Sequence, residues 1–268
     1  MPALHAVLAQ PFGNHPRQQI DVFIPERLTA RGLVALIHGG WWSQGRHQDL
    51  RLLALHLAEL GFASATIGHR QFGDGARFGH DLVDDVKAGI AKALEESAIA
   101  GASDSTVVLL GSGSGSLTAL TVASQLSSDA RIRVRGAIAC GVTPTLEHWE
   151  GCSSTVAKAL DQFAGNQRHL LSPMDLPAAS LPPLLLLHGD SDPDVPAKLA
   201  QRLHAHAIEA DEMSTLAILT GVGHRFIEQP LDRGAHSALE RIVPFLTEQA
   251  REPEHERLFT GIADRSQG

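Results

Sequence analysis

Cysteine is scarce: the 268 residues contain two, Cys140 and Cys152. Two cysteines make no disulfide framework, and they read as reduced thiols, with Cys140 in a buried strand; one isolated bridge is the alternative. Positive charge is short as well. Lysine and arginine number 22 against 30 acidic residues, a net charge of −8. The acids are dispersed, which argues against nucleic acid or an anionic membrane as the main partner. No apolar stretch approaches the length of a membrane span. Residues 1–10 lack both a basic n-region and a long apolar h-region, so no signal peptide is expected, and the expectation is a soluble cytoplasmic protein. No internal repeat is visible. Fifteen histidines are present but scattered. His204 and His206 lie two apart on an expected helix and cannot share a face, so no metal is expected.

What remains is ordinary globular material, 43% hydrophobic and 19% charged, long enough for one large α/β domain with a sizeable core. Strands are expected at 4–9 and 19–24, the second alternating as an antiparallel strand with one wet face would. Leu33–His38 is a continuous apolar run, the pattern of a strand covered on both faces. A helix over 47–60 places Leu50, Leu53, Ala54, Leu57 and Leu60 on one stripe and stops at Gly61. A strand at 62–67, a helix at 81–97, a strand at 106–110 with its own helix, and a strand at 135–141 follow. The stretch 143–183 breaks the alternation. It is polar, carries Trp149 and Phe163, shows one helical pattern over 155–163, and reads as a small lid insertion. Alternation resumes with a strand at 184–188, a helix at 197–209, a strand at 215–219 and a helix at 232–249. The division expected is one domain over 1–250 and a polar, fraying tail over 251–268. Strands alternating with helices imply a mostly parallel sheet of about eight strands, helices on both faces, with ligands bound beyond the strands' carboxyl ends.

Every suggestive motif stands just after a strand. Gly111-Ser112-Gly113-Ser114-Gly115 joins an apolar strand to a helix, the setting of a G-x-S-x-G nucleophile elbow. The outer glycines are in place, but the central position holds Gly113 instead of serine. His38-Gly39-Gly40-Trp41-Trp42 follows another strand. Its two glycines let the backbone turn its N–H groups toward a ligand oxygen, as an oxyanion loop does; an ordinary glycine turn with two packing tryptophans reads equally well. Asp190, Asp192 and Asp194 follow a third strand, and Gly223-His224 the last. An acid preceding a histidine it can orient is a catalytic pattern. Asp192 is preferred because it lies beyond the turn, whereas Asp190 is placed to cap locally and Asp194 to face solvent.

Over nearly its whole length the chain resembles the α/β-hydrolase superfamily, and most of all the small carboxylesterases and kynurenine-formamidase-like (arylformamidase-like) enzymes, whose entry loop reads H-G-G-x-W. The family's order of oxyanion loop, elbow, lid, acid loop and histidine loop is matched by His38–Trp41, Gly111–Gly115, 143–183, Asp192 and His224. The resemblance implies backbone oxyanion donors at Gly40, Trp41 and Ser114. It also implies an acyl-substrate site near His38, Trp41, Trp42, Phe72, Trp149 and Phe226, with Asp192 and His224 catalytic and no cofactor. The substrate it implies is a small-molecule ester or amide.

Gly113 departs from that pattern. Counting from Gly113, Leu117 at +4 and Leu120 at +7 keep the family's helix spacing, whereas Ser114 stands one Cα step, about 3.8 Å, further on. Three readings stay open. The first is an ester or amide hydrolase whose nucleophile is replaced at 113 or shifted to Ser114, with Ser112 a weaker candidate. The second is a ligand-binding or interaction protein, as in adhesion proteins similar to cholinesterases. The third is an enzyme in which His224 acts as general base without an acyl-enzyme.

Overall fold

The computed structural model describes residues 3–102, 105–229 and 232–250. Eight strands form one sheet: β1 (Leu4–Pro11), β2 (Gln19–Pro25), β3 (Ala30–Ile37), β4 (Phe62–Ile67), β7 (Thr106–Ser112), β8 (Arg133–Cys140), β9 (Leu184–Gly189) and β10 (Ser214–Leu219). Their order is β1-β2-β4-β3-β7-β8-β9-β10. β1 and β2 are antiparallel to their neighbours, and all pairs from β4 to β10 are parallel. Two two-residue strands, β5 (Gln71–Phe72) and β6 (Gly75–Ala76), pair within the loop that follows β4.

Helices cover both faces. α1 (Arg51–Glu59) and α7 (Arg233–Gln249) bury Leu53, Leu57, Ala238 and Ile242 in one layer with Leu36, Leu110 and Leu187. α2 (Gly79–Ile99), α3 (Ser114–Leu126) and α6 (Ala197–Glu209) bury Val86, Ile90, Leu120 and Leu203 in the other. The continuous apolar runs of β3, β4, β7 and β9 are buried on both faces, as parallel strands between two helix layers must be. No helix among the described residues is long and apolar enough to cross a membrane.

Two expectations change. The helix expected over 47–60 is a 3₁₀ turn, His47–Leu50, followed by α1. β2 is not wet on one face; it is buried from Ile20 to Pro25. Its inward polar residue Asp21 survives burial because Arg51 (2.7 Å), the Ala9 N–H (2.8 Å) and His47 (3.6 Å) satisfy it.

The stretch 143–183 is built into the core. Within it, α4 (Ser154–Ala164) is capped by Ser153, whose hydroxyl accepts from the Val156 N–H. Val156, Leu160 and Phe163 are buried with the α2–α3 layer, and Phe163 stacks on Trp42 at 4.1 Å. A short α5 (Arg168–Leu171) and two 3₁₀ turns return the chain to β9. The tail over 251–268 lies outside the described residues.

Candidate active site

β7 ends at Ser112, α3 begins at Ser114, and Gly113 between them has φ +53° and ψ −124°. This is the left-handed side of backbone space, where a side chain costs strain and glycine does not. Two residues on, Gly115 allows a close approach: a β-carbon there would lie 2.4 Å from the His38 and Ile37 carbonyl oxygens. The first turn of α3 therefore presses against the end of β3, bringing elbow and oxyanion loop together.

His224, in the loop after β10, is buried. Its Nδ1 lies 2.7 Å from Asp192 Oδ2. A carboxylate only accepts, which assigns the hydrogen to Nδ1 and leaves Nε2 as the base. That Nε2 faces Gly113: a β-carbon on the glycine would stand 2.8 Å from it. The elbow thus aims its missing side chain at the histidine.

Asp192 is held by four donors. Oδ1 accepts the Asp194 (2.8 Å) and Val195 (2.9 Å) N–H groups, and Oδ2 faces both His224 and His188, the latter at 3.2 Å. Burial alone would raise its pKa, but the bonds from His188 and His224 outweigh it and hold the carboxyl well below the usual range. Asp190 instead accepts from the Gly221 N–H and the Ser191 hydroxyl, and Asp194 is exposed. Of the three aspartates, Asp192 is the one bonded to His224; the local capping expected of Asp190 belongs instead to Asp192, and Asp190 bonds across to the Gly221 N–H.

Neither flanking serine is offered to His224. Ser114 Oγ accepts the Trp41 N–H at 2.8 Å, and Ser112 Oγ donates to Glu228 at 2.8 Å. The first contact ties the elbow to the oxyanion loop and occupies the Trp41 N–H, a donor the resemblance had assigned to the oxyanion. Ser114 opens α3, where an N–H has no intrahelical acceptor. Trp41 and Trp42 both hold positive φ, +50° and +58°, an uncommon state for bulky residues that marks a constrained loop.

The residues expected around an acyl group separate. The half-buried Trp41 ring lies parallel to the His224 imidazole, centroids 6.0 Å apart. Phe72 and Trp149 are half-buried against the same core layer. Trp42 is itself core, its Nε1 donating to Thr118 Oγ1 (2.9 Å) while its ring packs on Phe163. Phe226 is a correction: it is buried in the α1–α7 layer, because the 3₁₀ turn Phe226–Glu228 folds it under the sheet. His38 is another: it stacks on His69 (4.4 Å) and faces a separate cavity.

Two contributors had no sequence signal beyond their neighbours. His188, the last residue before Gly189 in β9, is fully buried, and its Nε2 also meets the Val195 carbonyl at 2.9 Å. Glu228 links the Ser112 hydroxyl to Arg225 (2.6 Å), clasping the elbow to the histidine loop. Both depend on pairs brought together only by the fold.

Among solved structures, the chain superposes on Thermogutta terrifontis esterase 2 phosphonylated by sarin with a TM-score of 0.75, at 20% identity, covering 92% of this chain and 95% of that one. The fold is that of the α/β-hydrolases. Esterase B from Lactobacillus rhamnosis gives 0.74 at 20% identity, covering 92% and 87%. Curated relatives include a probable isoprenylcysteine alpha-carbonyl methylesterase of Oryza sativa subsp. japonica, 26% identical over an alignment of 280 positions that covers 95% of this chain and 65% of that protein. The isoprenylcysteine alpha-carbonyl methylesterase of Arabidopsis thaliana is 24% identical, over 87% of this chain and 60% of its own length. The chain therefore spans about three-fifths of the length of the curated relatives it matches. No family model matches it.

Proposed function

We propose that the chain hydrolyses a small carboxylic ester at the Asp192–His224 pair without forming an acyl-enzyme. The observation that carries this is an acid–base pair fully assembled and aimed at a glycine. Water takes the place of the serine. His224 Nε2 removes a proton from water as its oxygen attacks the acyl carbon, and Asp192 stabilises the imidazolium. The Gly40 and Ser114 N–H groups receive the charge that develops on the carbonyl oxygen. The intermediate collapses as His224 returns the proton to the leaving alcohol, so ester and water give acid and alcohol. Trp41, Phe72 and Trp149 supply the apolar wall for the acyl group, and 143–183 covers it. The named relatives are methylesterases and esterases, which favours an ester over the aryl formamide of the formamidase-like reading. The free thiols Cys140 and Cys152 suit a cytoplasmic setting.

Removing a triad serine costs on the order of 10⁶ in kcat, and the remaining groups still give roughly 10³–10⁴ over water. The activity expected is of that feeble size. Purified chain should hydrolyse p-nitrophenyl acetate without a burst, lose that activity on His224→Ala, and keep its mass after treatment with a fluorophosphonate. Stoichiometric labelling at Ser114 would establish a shifted nucleophile instead. Activity unchanged by His224→Ala would replace the hydrolase reading with ligand binding on an inactive scaffold.

A further inference from the structure

The ends of β3 and β4 leave a polar cavity of about 110 Å³, lined by Arg17, Arg46, His38, His47, Gln48 and His69 among others. Among the described residues no carboxylate lines it. One water needs only roughly 10–15 Å³ of such space, so the cavity has room for a polyatomic ligand. Its position, beyond the carboxyl ends of parallel strands, is where this class of sheet binds ligands.

The imidazoles of His38 and His69 lie stacked, 10° from parallel. Each spends Nδ1 on a backbone carbonyl, that of Gly39 or of Arg70, both at 2.7 Å. Because a carbonyl only accepts, both Nδ1 atoms carry the hydrogen and both Nε2 atoms are the uncommitted nitrogens. His69 Nε2 is buried without a hydrogen-bond partner, and buried polar atoms in native folds are satisfied by something. Water could satisfy one nitrogen, but the guanidiniums favour negative charge: Arg17 is paired with Asp74, and Arg46 lines the cavity as a second guanidinium. On a chain of net charge −8, this wall gathers two guanidiniums and three imidazoles. A neighbouring cavity of about 370 Å³ shares Arg17 and Arg46 and adds Arg225, Asp49 and Gly40, three guanidiniums against one carboxylate, reaching the His38–Trp42 loop. A metal ion fits poorly. The guanidiniums oppose a cation, and among the described residues these imidazoles do not converge with a third ligand atom.

We propose that this cavity binds a small oxyanion, a carboxylate or a phosphate- or sulfate-like group, between the Arg17 and Arg46 guanidiniums and the Nε2 atoms of His38 and His69. Binding takes up a proton. Burial keeps both imidazoles neutral in the unliganded protein, reinforced at His38 by His69, His47 and Arg17 and at His69 by Arg17. A neutral Nε2 presents a lone pair to the anion, and only the protonated ring donates to it. The other charged groups around the pair are Asp74 on Arg17, Asp21 on His47, Asp49 beside Gly45, and Asp85 with Arg70.

The test is calorimetric titration of the whole chain with sulfate and with acetate, whose charges are the same at pH 6 and pH 8, against chloride at matched ionic strength. Sulfate should bind saturably at one site, tighter at pH 6 than at pH 8 by roughly tenfold or more, as uptake of one proton over that window requires. Affinity should fall at least tenfold in Arg17→Gln, in His69→Gln and in Arg46→Gln, the last an exposed position whose variant folds regardless; His224→Ala should leave it unchanged. That last arm separates this site from the ester-hydrolysis reading, since sulfate binding does not need the catalytic pair. Competition by mono(4-nitrophenyl) glutarate but not by p-nitrophenyl acetate assigns the anion to the ester site's own ligand. Competition by neither assigns a free anion, and both results support the pocket. Absence of saturable sulfate or acetate binding, or binding indifferent to both arginine variants, overturns it, as does Zn²⁺ bound through His69 in place of an anion.

Discussion

A β-carbon on Gly113 would meet His224 Nε2 at 2.8 Å, closer than carbon and nitrogen pack. Gly113→Ser therefore requires the imidazole to withdraw by several tenths of an ångström while Asp192 still holds it. The variant should become labelled by a fluorophosphonate and gain more than about 10²-fold in kcat/KM for p-nitrophenyl acetate, well short of the ~10⁶ a complete triad contributes. It should lose about 1–3 kcal/mol of stability to strain at φ +53°. Mass spectrometry and urea unfolding read the two effects, and His224→Ala in the same chain should erase the gain. A folded variant that is neither labelled nor faster would mean the loops do not work as a triad. His188 offers a second case. Its Nε2 divides one hydrogen between Asp192 and the Val195 carbonyl. His188→Leu removes a hydrogen bond to a buried charge and should cost about 1.5–3 kcal/mol in chemical denaturation; a loss below 0.5 kcal/mol, roughly the scatter of surface substitutions, would remove His188 from the acid's support.

At the scale of elements, α4 tests how 143–183 relates to the rest. An insertion that merely covered a site could be trimmed without harm to the fold. Here Phe163 is fully buried against Trp42, and Trp42 is anchored to α3 through Thr118. Phe163→Ala should therefore cost about 3–5 kcal/mol, the range for a buried aromatic, measured as a shift in urea midpoint. A cost under about 1 kcal/mol would make α4 a loosely docked cover. The same chain of contacts runs from Phe163 through Trp42 to Trp41, so loosening α4 should also disturb the stacking of Trp41 on His224.

For the whole molecule, the buried histidines and carboxylates set how stability follows pH. His38 and His69 are held below the ordinary histidine value. Below about pH 6.5 the unfolded chain binds protons there that the native state refuses, so stability falls as pH falls through that point. Asp192 and Asp21 act at lower pH. Both carboxyls are depressed in the fold: burial alone would raise Asp21, but the nearby His47 and the hydrogen bonds from Ala9 and Arg51 outweigh it and hold it at about 2. Their contribution is present above about pH 3.9, the unfolded value, and is lost as pH falls below it. Thermal unfolding from pH 8 to pH 5 should show a declining midpoint, and His69→Gln should flatten the decline. A midpoint that is level or rises on acidification would contradict this assignment.

The sequence by itself determined the elements and their order. Apolar runs such as Leu184–Leu187 have no polar face to turn outward, so they become strands between two helix layers wherever they fall. That the loops His38–Trp42, Gly111–Gly115, Asp190–Asp194 and Gly223-His224 stand at the ends of strands was legible for the same reason. Turn chemistry did not separate the three aspartates: Asp192 makes the local bonds to the Asp194 and Val195 N–H groups while Asp190 reaches Gly221, so the contact with His224, 32 residues away, is what distinguishes Asp192. The tertiary structure alone decided which polar atoms meet. Ser114 closing on Trp41, Ser112 on Glu228, and His188 joining His224 on one carboxylate oxygen all involve partners at least four and as many as 116 residues apart. It also decided which aromatics are core: Phe226 and Trp42 sit in the histidine and glycine loops in sequence, yet the turns that carry them fold both inward. Burial depends on where two segments pack, and one segment's own pattern does not contain the other's position.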